Sequence, residues 1–198
     1  MPALRVLAAS FVATLVSLPA SGIELKLLDV SHDNGTFVVT SGIVIDAPMQ
    51  RVFDVLSDYD NLTELHPSIR RAVVVDRPQP HTAIVDTWIR GCAAVFCRTL
   101  KRRERIETTG SEKIHARIDG EQSNVETSET RWHLKADGPR TVVSYEASLN
   151  PEFWIPPVIG TGIVKRKLRV TLIEILTRVE ALANLERRGV ASDWRAPH

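Results

Sequence analysis

Between Ile23 and Leu149 most segments alternate apolar with polar side chains, the pattern of strands that bury one face. "IELKLLDV" and "TFVVTSGIVID" come first, joined by "SHDNG", in which Asn34-Gly35 is a strong hairpin signal. The period then lengthens. From Pro48 to Leu56, Val52, Phe53, Val55 and Leu56 fall on one face of a short helix, with Asp46 or Ala47 at its cap and Pro48 in its first turn. "DYDNLTELHP" gives a second short helical turn, stopped at His66 by Pro67. Strands follow over about 69–76, 82–91, 96–108, 112–119, 125–136 and 140–149, with "RPQPH", "TTGS", "IDGEQ" and "ADGP" as turns. The last element is a helix over about 158–187, in which Val164, Leu168, Leu172, Ile175, Val179 and Leu182 recur at steps of three and four before Gly189.

This order predicts an α+β domain: a curved antiparallel sheet wrapped around a long C-terminal helix, with two short helices after the first strands. At ~1.5 Å per residue the last helix would span about 45 Å, and a sheet curved around it leaves a cavity between the two.

Composition adds one domain and an unusual start. With 43% hydrophobic and 25% charged residues over 198 positions, the chain supports one sizeable core and shows no compositional sign of disorder. Residues 1–22 stand apart: "MPALR" carries one positive charge, "VLAASFVATLVSL" is apolar, and "PASG" sets Ala20 and Gly22 at the spacing of a signal peptidase site. We expect cleavage after Gly22, a domain over 23–188, a tail over 189–198, and a periplasmic or secreted location. A retained anchor is the alternative, although the apolar run is shorter than the ~18–20 residues that span a bilayer. Cleavage would remove Arg5, one of 25 Lys and Arg, leaving 24 against 24 Asp and Glu. That balance argues against a nucleic-acid partner, which needs a basic excess.

An exported bacterial protein meets an oxidising compartment, which makes the two cysteines of "GCAAVFCR" a candidate bridge. On one continuous strand Cys92 and Cys97 would lie about 17 Å apart on opposite faces, far outside disulfide geometry. A bridge therefore requires a hairpin with Ala93, Ala94, Val95 and Phe96 at its tip. The alternative is two small buried hydrophobes in one strand.

The segments "IVIDAPMQRVFDVLSDYDNLTELHPSIRRAVVV" and "TSETRWHLKADGPRTVVSYEASLNPEFWIPP", with the terminal helix, resemble the START-like polyketide cyclase and coenzyme Q-binding family over roughly residues 36 to 185. The resemblance implies the helix-grip fold of the SRPBCC superfamily. It also implies a ligand class, a lipid, fatty acid or quinone held between sheet and helix, with polyketide cyclases as the enzymatic members.

On that fold "FWIPPVIG" would border the cavity entrance as an apolar lip, stiffened by Pro156-Pro157 and hinged at Gly160 and Gly162; the alternative is a plug of large aromatics. Expected to line or gate the cavity are Val164, Leu168 and Leu172 on the helix, Trp132 and Tyr145 on strands, and Phe153, Trp154 and Ile155 at the lip. Trp132 belongs inside because it shares a strand face with Leu134, opposite Arg131, His133 and Lys135. In "KRKLR", Lys165, Arg166, Lys167 and Arg169 oppose the positive end of the helix dipole, so local stability does not explain them. They form either a docking surface for an anionic membrane or a solvated face. In "KRRER", Lys101, Arg103 and Arg105 point to one face, toward water and acids such as Glu126 or Glu129.

Signals for catalysis are sparse. The six histidines are scattered with no metal-ligand spacing, no G-x-S-x-G elbow occurs, and "GTGIVK" follows two prolines and lacks the third glycine of a phosphate loop. No cofactor or metal is expected. A cyclase working with one buried acid or base has Asp86, Arg90, His66 and Tyr145 as candidates. Each also reads as ordinary: Asp86 and Arg90 on a solvent face with Trp88, His66 in a loop, Tyr145 in the core.

Overall fold

The computed structural model describes residues 22–93, 96–120, 122–153 and 160–185. Eight strands form one antiparallel sheet: β1 (Glu24–Asp33), β2 (Thr36–Ile45), β3 (Ile69–Gln79), β4 (Thr82–Ala93), β5 (Phe96–Thr109), β6 (Lys113–Ile118), β7 (Val125–Asp137) and β8 (Arg140–Pro151). Their order in the sheet is β1-β2-β8-β7-β6-β5-β4-β3. Each hairpin pairs sequence neighbours except at β2, whose second partner is β8, so the chain crosses from beside one edge of the sheet to the opposite edge before β3. Helix α1 (Met49–Leu56) and a 3-10 turn (Tyr59–Glu64) make that crossing, and α2 (Thr161–Leu185) lies against the concave face. The architecture is the expected α+β helix grip.

Local chemistry accounts for the corners. Asn34 and Gly35 both take positive φ, +47° and +82°, so the β1–β2 hairpin closes where only such residues turn cheaply. The cap of α1 differs from expectation. Pro48, at φ −62° and ψ 140°, is itself the N-cap and makes no side-chain cap bond, whereas the backbone of Asp46 is engaged elsewhere: its N–H donates to Glu180 at 2.9 Å and its carbonyl accepts from Asn184 at 2.8 Å. The β2–α1 corner is thus tied to α2 instead of capping its own helix.

Two apolar clusters divide the concave side. The larger joins Ile43 and Ile45 of β2, Val52 and Leu56 of α1, Val85, Leu134 and Val143 of the sheet, and Leu176, Val179 and Ala183 of α2. The smaller joins Leu28, Val30, Phe37 and Val39, with Val164 and Leu168 only partly buried against it. The buried stripe of α2 is therefore Leu176, Val179 and Ala183; Ile175 and Leu182, expected on it, are partly buried at its edges. Among the described residues no helix is long and apolar enough to cross a membrane.

Candidate functional site

Between the N-terminal half of α2 and the sheet lies a groove of about 570 Å³. Its floor comes from Phe37 and Val39 of β2, Leu100 and Arg102 of β5, Ser128 and Thr130 of β7, and Tyr145 and Ala147 of β8. Val164, Leu168 and Thr171 of α2 form one wall, and Phe153 stands beyond the end of β8. The groove exists because the two helix halves are held differently. Toward the C terminus, Glu180 and Asn184 bond the Asp46 backbone, Arg178 bonds the Glu64 carbonyl at 3.2 Å, and Glu174 meets His66 at 2.9 Å. Among the described residues the N-terminal half has one polar link to the sheet, the exposed pair of Lys165 and Asp29 at 3.4 Å.

Of the expected lining residues, Tyr145, Phe153, Val164 and Leu168 border this groove. Trp132 packs partly buried against the larger core cluster, its ring tilted over Tyr145 at 4.4 Å, and Leu172 lies at the junction of the two clusters, so neither reaches the groove wall. Trp154 and Ile155 lie outside the described residues, as does the rest of the expected lip through Ile159. Gly160 and Gly162 have open space where a side chain would project, and neither takes a positive φ.

At the mouth, Cys92 and Cys97 are joined by a disulfide and face each other in register across the β4–β5 hairpin, with Cα atoms 4.0 Å apart. The strands stay paired through Ala93 and Phe96, so these two residues of the expected four-residue tip belong to the strands; Ala94 and Val95 lie outside the described residues. Cys92 and Phe96 border the groove, as do His66 and Arg90. Asp86 does not: it faces outward and binds Arg103 through two hydrogen bonds of 2.6 Å. Arg105 likewise pairs with Asp119, at 3.2 Å. The expected partners Glu126 and Glu129 sit on β7, two strands from β5, with β6 between. At ~4.8 Å per strand, the nearer acids on β4 and after β6 win.

One cluster escaped the sequence reading. Arg102 and Glu104 lie on the inward face of β5, beside Leu100 and Ile106, with Glu104 only 4% exposed. Arg102 Nη1 lies 3.3 Å from Glu104 Oε1, and Ser128 Oγ donates to the same oxygen at 3.2 Å. Arg102 Nε is buried and lacks a hydrogen-bond partner among the described residues. Burial raises the pKa of the neighbouring Tyr145 hydroxyl, with Arg102 pulling it down and Glu104 pushing it further up, so the phenol remains a proton donor at neutral pH. The signal was present: alternation that sends Lys101, Arg103 and Arg105 outward sends Arg102 and Glu104 inward.

The basic cluster of α2 splits. Lys165 turns to Asp29, Lys167 borders the groove, and Arg166 and Arg169 are exposed. A second cleft of about 490 Å³ lies between the β3–β4 turn and Tyr59, lined by Arg77, Gln79 and His81 among others, and contains none of the expected site residues.

With this geometry in view, the sequence model described as "Polyketide cyclase / dehydrase and lipid transport" matches residues 36–188. The chain belongs to this family. No curated protein matches it in sequence. Among solved structures, the family fold is shared with the Zhui aromatase/cyclase from Streptomyces sp. R1128 (TM-score 0.61, 16% identity, covering 80% of this chain and 98% of that one). A START superfamily protein from Mycobacterium smegmatis is also similar (TM-score 0.59, 13% identity, 73% and 98% covered). So is human STARD10 (TM-score 0.56, 12% identity, 81% and 75% covered). At these identities the likeness is one of fold, and the family description spans both cyclisation and lipid carriage.

Proposed function

We infer that this protein binds one hydrophobic small molecule, such as a lipid, fatty acid or quinone, in the groove beneath the N-terminal half of α2, and that it carries or sequesters that molecule without transforming it. The observation that supports this most is the pairing of an apolar, one-molecule-sized groove with a helix half that has no buried residue of its own. About 300–1,000 Å³ is the usual range for a small-molecule site. Leu168→Trp provides the test: adding bulk to the wall should abolish displacement of a neutral fluorescent probe by lipid while leaving the melting temperature unchanged. Unaltered binding by that variant would place the ligand elsewhere.

A cyclase-type reading is favoured by one feature, the Arg102, Ser128 and Tyr145 side chains on the groove floor with the Glu104 carboxylate buried behind them, where Tyr145 is held as a proton donor. Turnover of a polyketide-like substrate that disappears in Glu104→Gln and Tyr145→Phe, with binding retained, would establish it in place of carriage.

Two companion proposals concern setting. Export is supported by the signal-like residues 1–22 and by a disulfide suited to an oxidising compartment; a periplasmic protein whose first residue is Ile23 and whose cysteines resist alkylation would bear it out. Peripheral contact with an anionic membrane is supported by the exposed Arg166 and Arg169 beside the groove. Their reversal to Glu should weaken sedimentation with anionic vesicles at low salt.

A further inference from the structure

The groove is apolar in its walls but not electrically neutral. Among the described residues its lining includes Arg70, Arg90, Arg98, Arg102 and Lys167 and no aspartate or glutamate. The protein as a whole is close to neutral, so this is a local excess. The five cations differ in what balances them. Arg102 lies on the floor and is compensated by Glu104 at 3.3 Å. Arg98 stacks over the Phe96 ring at 4.3 Å and donates to the Cys97 carbonyl at 3.1 Å. Arg70, Arg90 and Lys167 are exposed at the rim and have no carboxylate partner among the described residues.

We propose that the groove selects an amphiphile with an anionic head, a carboxylate or phosphate monoester, whose tail lies along the apolar floor while its head sits at the rim among Arg70, Arg90 and Lys167. This rests on the groove being the ligand site and adds the chemical class. A neutral or cationic head would leave the rim charges facing one another, or add to them, in a site whose low-dielectric walls strengthen their field. A head driven inward instead would meet a guanidinium already neutralised by Glu104 and would lose water without gaining an unpaired charge. The rim is where an anion gains most and is desolvated least.

Four ligands with one tail and different heads test this: tetradecanoic acid, tetradecyl phosphate, tetradecanol and tetradecyltrimethylammonium, each displacing Nile red, which is neutral. The acid and the phosphate should bind about tenfold more tightly than the alcohol, as expected for two or three exposed ion pairs, and the ammonium most weakly. Whichever anion binds better identifies the head. In the triple variant Arg70→Gln, Arg90→Gln, Lys167→Gln the anionic advantage should vanish while the affinity for tetradecanol and the melting temperature stay as in the wild type. Equal binding of acid and alcohol, tightest binding of the ammonium, or an unchanged anionic advantage in the triple variant would each overturn the proposal and leave the hydrophobic site standing. Failure of all four to displace the probe would overturn both.

Discussion

The two halves of α2 carry the same kind of side chain at the same spacing, and their surroundings differ completely. In the C-terminal half Leu176 and Val179 are fully enclosed, packed against α1 and the centre of the sheet. In the N-terminal half no residue from Thr161 to Ile175 is buried, although Val164, Leu168 and Leu172 continue the stripe. An amphipathic pattern fixes which face of a helix turns inward; what waits there decides whether that face becomes core or cavity wall. Here the crossing from β2 to β3 brings α1 under one half of the helix, whereas the other half is only partly buried, with Val164 and Leu168 against β1 and β2 at one side of the groove. One half holds the fold and the other is free to hold a ligand.

Breaking the packed half should cost most. Leu176→Ala removes a side chain with no exposure and should lower stability by about 2–5 kcal/mol in denaturant unfolding, with any ligand affinity of the surviving folded fraction little changed. The next effect belongs to the open end. Replacing Cys92 and Cys97 by Ser frees the hairpin at the groove mouth, and loop-closure entropy gives a loss of about 2 kcal/mol, visible as a lower melting temperature that reductant no longer alters.

A third change should strengthen the packed half. The Tyr59 hydroxyl is buried in the larger cluster with no hydrogen-bond partner among the described residues, so Tyr59→Phe should raise stability by about 1 kcal/mol. Burial pushes this phenol up to about 12, Arg77 pulling the other way. Because the folded form holds the proton more tightly than the unfolded chain, stability is complete below about pH 10 and declines as pH rises through 12. Tyr59→Phe should remove that alkaline component, which urea melts at pH 9 and about pH 11 would measure. The smallest stability effect is expected at Leu168→Ala, under about 1 kcal/mol, since the side chain borders space already empty of protein. Its loss should appear as weaker ligand binding. If Leu168→Ala and Leu176→Ala cost the same, the two halves are not distinct.

Most of the fold was legible from alternation and turn chemistry. The strands fall within a few residues of their expected bounds because each buries one face and ends at a residue that tolerates a turn, as at Asn34-Gly35 and Gly138. Neighbour identity was not legible. Nothing in the order of residues says that β2 lies beside β8, or that the Asp46 backbone bonds α2 instead of capping α1; the partners of Arg103 and Arg105, on β4 and just after β6, follow from the register of hairpins between sequence neighbours. The same limit applies to the site. Tyr145, Val164 and Leu168 were reachable from their strand and helix faces, whereas Trp132 and Leu172 satisfied the same patterns and went to the core, because a face says inward and not how far along the helix the cavity extends. Arg102 and Glu104 were on the inward face all along; a charged pair there ran against the expectation of an apolar interior, although each partner is compensated by the other.

The most direct test of the division between a packed and an open half is an NMR titration of the isotope-labelled protein with tetradecanoic acid, following backbone amides. Saturable shifts are expected at Phe37, Val39, Tyr145, Val164 and Leu168, with the amides of Val85, Leu176 and Val179 unmoved. Shifts centred on Leu176 and Val179, or on Tyr59 and His81 at the second cleft, would contradict that division.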